Sequence, residues 1–223
     1  MDSLSKGEQS RKAIIDAARK IYNEFGLELR LKDLADKMGV KQSKITNHFH
    51  SKELIIQAIA DEYNKEYISL IKERVGNNVI EILGFVDYTS KLMTIQWHYR
   101  CAIIYFLNIV VFQEEEKANI MQINEGRKQP IIQCINGLIA SEEIDPAILN
   151  PLNLEIIVHQ IFNLGTQWIN SYLRYDFTST FEVKKVVYLK AIFDVMIHYL
   201  TPKGLKSYES IDFELISKKY TLK

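Results

Sequence analysis

Glycine and proline are scarce in this chain, 9 and 4 among 223 residues. Sheet-rich folds need more turn punctuation than that, so a helical protein is expected. Cysteine is scarcer still. Cys101 and Cys134 lie in apolar helical sequence, with no CxxC and no Cys/His cluster. That excludes a zinc framework or a disulfide scaffold and reads as two buried thiols in a reducing cytosol. Long apolar runs are missing too. The longest, CAIIYFLNIVVF from Cys101 to Phe112, is too short to span a bilayer and contains Asn108. The opening residues MDSLSKGEQSRK lack the apolar run of a signal peptide. A cytoplasmic location without a membrane partner is therefore expected. No Gly-rich phosphate loop, Ser/His/Asp elbow or paired-carboxylate motif is visible, so neither a catalytic residue nor a cofactor is expected.

The residues that are present suit a folded globular chain, with 47% hydrophobic and 25% charged. Formal net charge is zero, yet it is unevenly spread. Residues 1–52 carry 11 Lys/Arg against 7 Asp/Glu, and the remainder 17 against 21. A basic head of net +4 on an acidic body of net −4 suits an anionic partner such as DNA.

Helical periodicity runs through the chain. Residues 11–25 place Ile14, Ala17, Ala18, Ile21, Tyr22 and Phe25 on one face, with Lys12, Asp16, Arg19, Lys20 and Glu24 facing away and Gly26 as the stop. A short helix over 31–38 carries Leu31, Leu34, Ala35 and Met38, and a polar helix follows over about 41–48. Ser51 is a good N-cap for a long helix over 52–75 with Leu54, Ile55, Ala58, Ile59, Tyr63 and Tyr67 on its buried face. Gly76-Asn77-Asn78 breaks the pattern. Helices are then expected over about 79–95, 98–112, 115–140, 150–174 and 180–200. Thr201-Pro202-Lys203-Gly204 ends that run, and a last amphipathic piece covers about 208–220. No strand alternation and no internal repeat is seen, so the fold class is all-α.

The polar helix raises the functional question. Two helices cross closely through a short turn only if the first offers a small residue and the turn tolerates positive φ. Ala35 and Gly39 meet those needs, and Leu34, Val40 and Ile45 form the apolar clasp. This helix-turn-helix pattern frees the second helix to enter the major groove. Lys41, Gln42, Ser43, Lys44, Thr46 and Asn47 all carry donors at or near their tips. Lysine can read guanine, and glutamine or asparagine can read adenine. Arg30 and Lys52 lie near the N-termini of the flanking helices, where a phosphate is favoured. His48 and His50 are two apart and do not face each other, so a metal or acid–base pair is disfavoured; His48 suits a wedge or a phosphate contact.

These residues together resemble the TetR family of transcriptional regulators. The likeness runs from about Lys12 to Leu54: a first helix ending in Phe25-Gly26, then LKDLADKMGV, then ITNHFHSKELI. Ile45, His48, Phe49, Ser51, Lys52 and Glu53 match the family signature. Thr46 stands where many members have a Tyr that contacts a phosphate, Ser43 where many have Gly or Ala, and Arg30 where many have Thr. The resemblance implies a helix-turn-helix DNA-binding domain over 1–52 and a ligand-sensing and dimerisation domain over 53–223. It implies a homodimer on double-stranded operator DNA, most often a repressor released by a small-molecule inducer. It also implies that the helices over about 150–174 and 180–200 pack on their copies, with Trp168, Ile169, Tyr172 and Leu173 on one and Val187, Ala191, Val195 and Ile197 to Tyr199 on the next.

Other features have plainer readings. Glu155/His159 and Asp194/His198 are each four apart and read as helical ion pairs rather than a metal site. Phe85, Tyr88, Trp97, Tyr99, Tyr105, Phe106 and Phe112, with Gln96, His98 and Gln133, suit either an inducer pocket or plain core. Glu114-Glu115-Glu116 suits a solvated helix start. Two rivals stand: a helical enzyme or small-molecule carrier, and an adaptor of the same fold that has lost operator binding.

Overall fold

In a computed structural model of the protein, residues 5–75, 80–108 and 114–220 are described. Among them there is no strand, and a single isolated bridge joins Ile144 to Leu200. The α-helices are α1 (Lys6–Phe25), α2 (Leu31–Met38), α3 (Gln42–Thr46), α4 (Lys52–Val75), α5 (Ile82–His98) and α6 (Arg100–Leu107). They continue with α7 (Glu114–Ala140), α8 (Pro151–Ser171), α9 (Phe181–Asp194), α10 (Pro202–Glu209) and α11 (Phe213–Lys219). The expected break at Gly76-Asn77-Asn78, together with Val79 and Phe112, lies outside the described residues, as do the side chains of Glu114 to Glu116.

The chain forms two compact units, Met1–Ile68 with Ile95–Ile109, and Ser69–Thr94 with Val110–Lys223. In the first, α1 begins earlier than periodicity predicts because Ser5 and Glu8 form a capping box: the Ser5 N–H donates to the Glu8 carboxylate at 2.9 Å and the Glu8 N–H to Ser5 Oγ at 3.3 Å. Ile14, Ile15, Ala18 and Tyr22 of α1 are buried against Leu34, Ala35, Ile45, Phe49, Ile55 and Ile59. Three assignments differ from the sequence pattern, the first being Phe25, which is half exposed at the end of α1. Leu54 is exposed and Ile56 takes its place in the core. Arg19 is buried rather than outward: its guanidinium lies 5.3 Å from the centre of the Tyr99 ring and donates to the His98 carbonyl at 3.4 Å. Asn23 completes this clasp, its amide donating to the His98 carbonyl at 2.8 Å while its Oδ1 accepts the Cys101 N–H at 3.0 Å. Burial lowers the His98 pKa, and Arg19 beside it adds to the effect. Both cysteines are buried thiols, and burial pushes the Cys101 thiol up to about 11.

In the second unit Trp168 stacks on Phe181 with ring centres 5.2 Å apart, and Phe85 meets Phe193 edge-on at 4.9 Å. Two helix ends differ from expectation. After Ser171 the backbone widens into a π turn over Tyr172–Asp176, where Lys184 pairs with Asp176 at 2.6 Å. The α9 helix stops at Asp194, not at residue 200, and a 3-10 turn over Ile197–Tyr199 follows. Pro202, expected to end a helix, instead starts one. It sits at the first helical position of α10, where a missing N–H costs nothing, and the Thr201 hydroxyl accepts the Gly204 N–H at 3.1 Å.

That start is clasped to the turn after α7. The Thr201 hydroxyl donates to the Glu142 carbonyl at 2.7 Å, and the Thr201 N–H to the Glu143 carbonyl at 3.0 Å. Lys203 reaches the Ser141 carbonyl at 2.7 Å, and the Glu143 carboxylate accepts the Ile82 N–H at 2.7 Å. The backbones approach so closely that a Cβ on Gly204 would lie 1.9 Å from the Glu143 carbonyl oxygen. Because that oxygen belongs to the backbone, it cannot swing aside. Gly204→Ala is expected to destabilise the protein by about 2–3 kcal/mol, measured as an earlier midpoint in urea unfolding; a midpoint equal to that of the parent would show that the clasp yields.

Candidate nucleic-acid interface

The turn between α2 and α3 has the geometry that the sequence requires. Gly39 adopts φ 65° and ψ 31°, the left-handed region, and the Val40 N–H closes back on the Ala35 carbonyl at 3.0 Å. Lys41 is extended at φ −67° and ψ 140°, which turns the chain into α3. Ile45 is the one side chain of α3 that is fully buried. Phe49 anchors the exit, 2% exposed, beneath the Arg11 guanidinium at 4.8 Å from its ring centre.

The α-helix proper covers Gln42–Thr46, shorter than the 41–48 expected. Asn47 and His48 lie on a tightened terminal turn. There the His48 and Phe49 N–H groups both donate to the Ile45 carbonyl at 2.9 Å. Along the outer side Lys41, Gln42, Ser43, Lys44 and Asn47 are exposed, while Thr46 and His48 are partly buried. The segment therefore presents a row of side-chain donors over a single apolar anchor. The Thr46 hydroxyl points back to the Ser43 carbonyl at 3.4 Å, so it lies close to its own helix.

Arg30 and Lys52 have local partners. The Arg30 N–H donates to Asp33 at 2.9 Å, which with the Arg30 side chain holds the Asp33 carboxyl below the usual carboxylate range. The Arg30 guanidinium approaches the same carboxylate at 3.3 Å and is otherwise exposed. Ser51 caps α4 as expected, its Oγ accepting the Leu54 N–H at 3.4 Å. Lys52 donates to the Leu27 carbonyl at 2.8 Å and so ties the start of α4 to the loop after α1. Nothing in the sequence signals that bond or the Arg11–Phe49 contact, since each joins residues far apart in the chain.

The remaining sequence candidates are dispersed. His159 meets the Asn163 amide at 2.8 Å instead of Glu155. Asp194 pairs with Lys190 at 2.7 Å and accepts a short hydrogen bond from Tyr208, so the expected Asp194–His198 pair does not form; α9 ends at Asp194 and His198 lies beyond it. Among the described residues no three His, Cys, Asp or Glu side chains gather as a metal site needs. Among the aromatics, Phe85 belongs to the second unit, whereas Tyr99, Tyr105 and Phe106 belong to the first. No helix among the described residues is long and apolar enough to cross a membrane.

Likeness to known proteins follows the same division between head and whole chain. Residues 14–59 match the family described as bacterial regulatory proteins, tetR family. The whole chain has the fold of several solved structures. A TetR-family transcriptional regulator from Marinobacter aquaeolei VT8 superposes with a TM-score of 0.72 at 17% identity, over 89% of this chain and 97% of that one. The TetR-family protein CprB from S. coelicolor A3(2) gives 0.68 at 14% identity, over 97% and 100%. A gamma-butyrolactone receptor (ArpA-like protein) gives 0.62 at 14% identity, over 96% of each chain. No curated protein matches the chain.

Lys52 connects two loops of the head through one charge-assisted bond, worth about 1.5–3 kcal/mol. Lys52→Met, which keeps the stem and removes the donor, is expected to lower the thermal midpoint of the protein and to raise amide exchange around Leu27. A head whose exchange at Leu27 is unaltered would show that the bond carries no positioning role.

Proposed function

On a TetR-family head sequence carried by the TetR-family fold, we propose that the protein is a DNA-binding transcriptional regulator, acting as a homodimeric repressor that a small molecule releases from its operator. The observation that carries the reading is the outer row of α3. Five exposed donor side chains there stand over one buried isoleucine, on a helix-turn-helix in residues matched by the family. A structural helix of that length gains nothing from such a row, whereas a reading helix needs it.

In the proposed complex Lys41, Gln42, Ser43, Lys44 and Asn47 face base edges and nearby phosphates, with Thr46 and His48 at the backbone. Arg30 and Lys52 flank them toward phosphates; Lys52 spends one of its three N–H donors on Leu27 and keeps two. Residues 1–52 thus bind DNA, and residues 53–223 sense ligand and dimerise. Two heads must present their helices about 34 Å apart, one turn of DNA. A ligand that prefers a differently spaced dimer shifts the population away from DNA. The lever in this scheme is α4, continuous from Lys52 to Val75. One of the structural relatives is a gamma-butyrolactone receptor, which supports a small-molecule inducer here as well.

The dimer of this scheme rests mostly on side chains that the sequence pattern did not single out. Trp168, Ile169 and Tyr172 are buried within the protomer, so they fill its own core. Exposed apolar groups lie elsewhere on the same helices: Leu152 and Ile156 one turn apart on α8, and Val183 and Val187 one turn apart on α9. Val187 belongs to the expected set, as does Leu173, which is exposed in the turn after α8.

Two measurements test this reading. Lys41→Ala with Lys44→Ala is expected to weaken binding to selected genomic fragments and to reduce the slope of log K against log salt by about two, as loss of two phosphate-neutralising charges requires; an unchanged slope would refute the placement of the reading helix. Val187→Glu is expected to shift the protein from dimer to monomer in sedimentation velocity with its helix content intact, since a carboxylate cannot be desolvated against its own copy.

A further inference from the structure

Three buried donors in the second unit converge on the last carbonyls of α11. Ser90 Oγ, on α5, donates to the Ile216 carbonyl at 3.0 Å. Lys185 Nζ, on α9, donates to the Ser217 carbonyl at 2.9 Å and to Thr94 Oγ1 at 2.8 Å. Thr94 Oγ1, on α5, donates to the Tyr220 carbonyl at 3.0 Å. At the rim, Asp87 of α5 accepts from Lys219 at 2.8 Å and from the Tyr220 hydroxyl at 2.5 Å. Ser90 and Lys185 are 0% and 1% exposed, so the seam beneath α11 is both polar and dry.

The final carbonyls of a helix have no partner within it and carry partial negative charge, so donors are welcome there. This donor set nevertheless exceeds what the carbonyls need. An ammonium has three N–H groups, and among the described residues Lys185 finds two acceptors, both neutral. No carboxylate lies within ion-pair distance of it among those residues, and the ring of Phe181 stands 5.9 Å away. Burial pushes the Lys185 pKa down to about 8, opposed by the more distant Glu182 and Asp87. A buried ammonium with only neutral acceptors is incompletely compensated, and an anion would complete it.

The occupant depends on its neighbours. A helix of seven residues cannot persist without tertiary contacts. Its apolar anchors are Phe213 and Ile216, with Leu215 exposed, so much of its attachment is the polar seam. We propose that Ser90, Thr94 and Lys185 form a binding site for a small carboxylate anion, occupied in the resting protein by the terminal carbonyls of α11, and that α11 is a strap released when such an anion replaces them. A carboxylate accepts from the ammonium and from both hydroxyls with charge-assisted bonds, roughly twice as strong as those to neutral carbonyls. One buried cation matches one negative charge, so a monoanion is favoured over a phosphate dianion. Released α11 loses the polar part of its tertiary support, and a helix of seven residues left with two apolar anchors unwinds, which makes the seam a two-state element.

The site is independent of DNA binding, and its test uses none. Amide hydrogen exchange is followed across the full-length protein in acetate, in the neutral analogue acetamide, and in potassium chloride at matched ionic strength. Acetate is expected to speed exchange over Phe213–Lys219 about tenfold relative to both controls, with little change in α1–α3. Lys185→Met, which fills the same space without charge, is expected to abolish the response. Exchange in α11 that acetate leaves unchanged or slows, or that acetamide speeds equally, overturns the proposal. So does an acetate response that survives in Lys185→Met. If that variant fails to fold, the comparison of acetate with acetamide in the parent protein decides alone.

Discussion

Burial of Ile45 is the contact on which the rest of the helix-turn-helix head depends. Isolated helices need about 12–15 residues to be even marginally stable, and α3 has five. It exists because one side chain is locked between α1, α2 and α4, with Phe49 closing the exit. Gln42, Ser43 and Lys44 of α3 are thereby released from packing duty. The polarity of Lys41 to Asn47 is affordable because the energetic work is done by a single residue and by the turn at Gly39. Ala35 matters for the same reason, since a larger side chain there would hold the second helix away from the first.

Around that contact the head is fastened by polar bonds that reach across the chain. Lys52 holds Leu27, Arg11 covers Phe49, and Asn23 with Arg19 grips the junction between α5 and α6. Each uses a long or amphipathic side chain whose stem packs while its tip finds a backbone carbonyl or a ring. The second unit applies the same device more severely. Lys185 and Glu143 are ionisable side chains placed in dry interior and bonded to backbone, the first at the end of α11 and the second at the start of α5. Such joints specify one arrangement, because an apolar seam could slide and a directed bond cannot.

What the sequence made legible follows from the range of each interaction. The helix-turn-helix was readable because Ala35, Gly39, Val40 and Ile45 act over ten residues, and Ser51 caps the helix that it precedes. The outward assignment of Arg19 failed because its partners lie at His98 and Tyr99, some 80 positions on, where periodicity carries no information. Leu54 and Ile56 exchanged places because a run of Leu54-Ile55-Ile56 fits two helical faces equally well. Pro202 was ambiguous by nature, since proline both ends helices and begins them. Thr201 before it was the cue that could have decided the matter.

Trp168 shows why apolar surplus counted per helix does not by itself mark exposed surface. A helix packed on several neighbours is apolar over most of its circumference, and its largest side chains go to the innermost neighbour. The apolar groups left exposed are then smaller, as Leu152, Ile156, Val183 and Val187 are. The same logic separates the two buried charges. Glu143 is spent on a single N–H whose position is fixed by α5, so its burial is structural. Lys185 retains a donor that nothing in the described fold uses, and a retained donor on a buried cation is a preference for an anion.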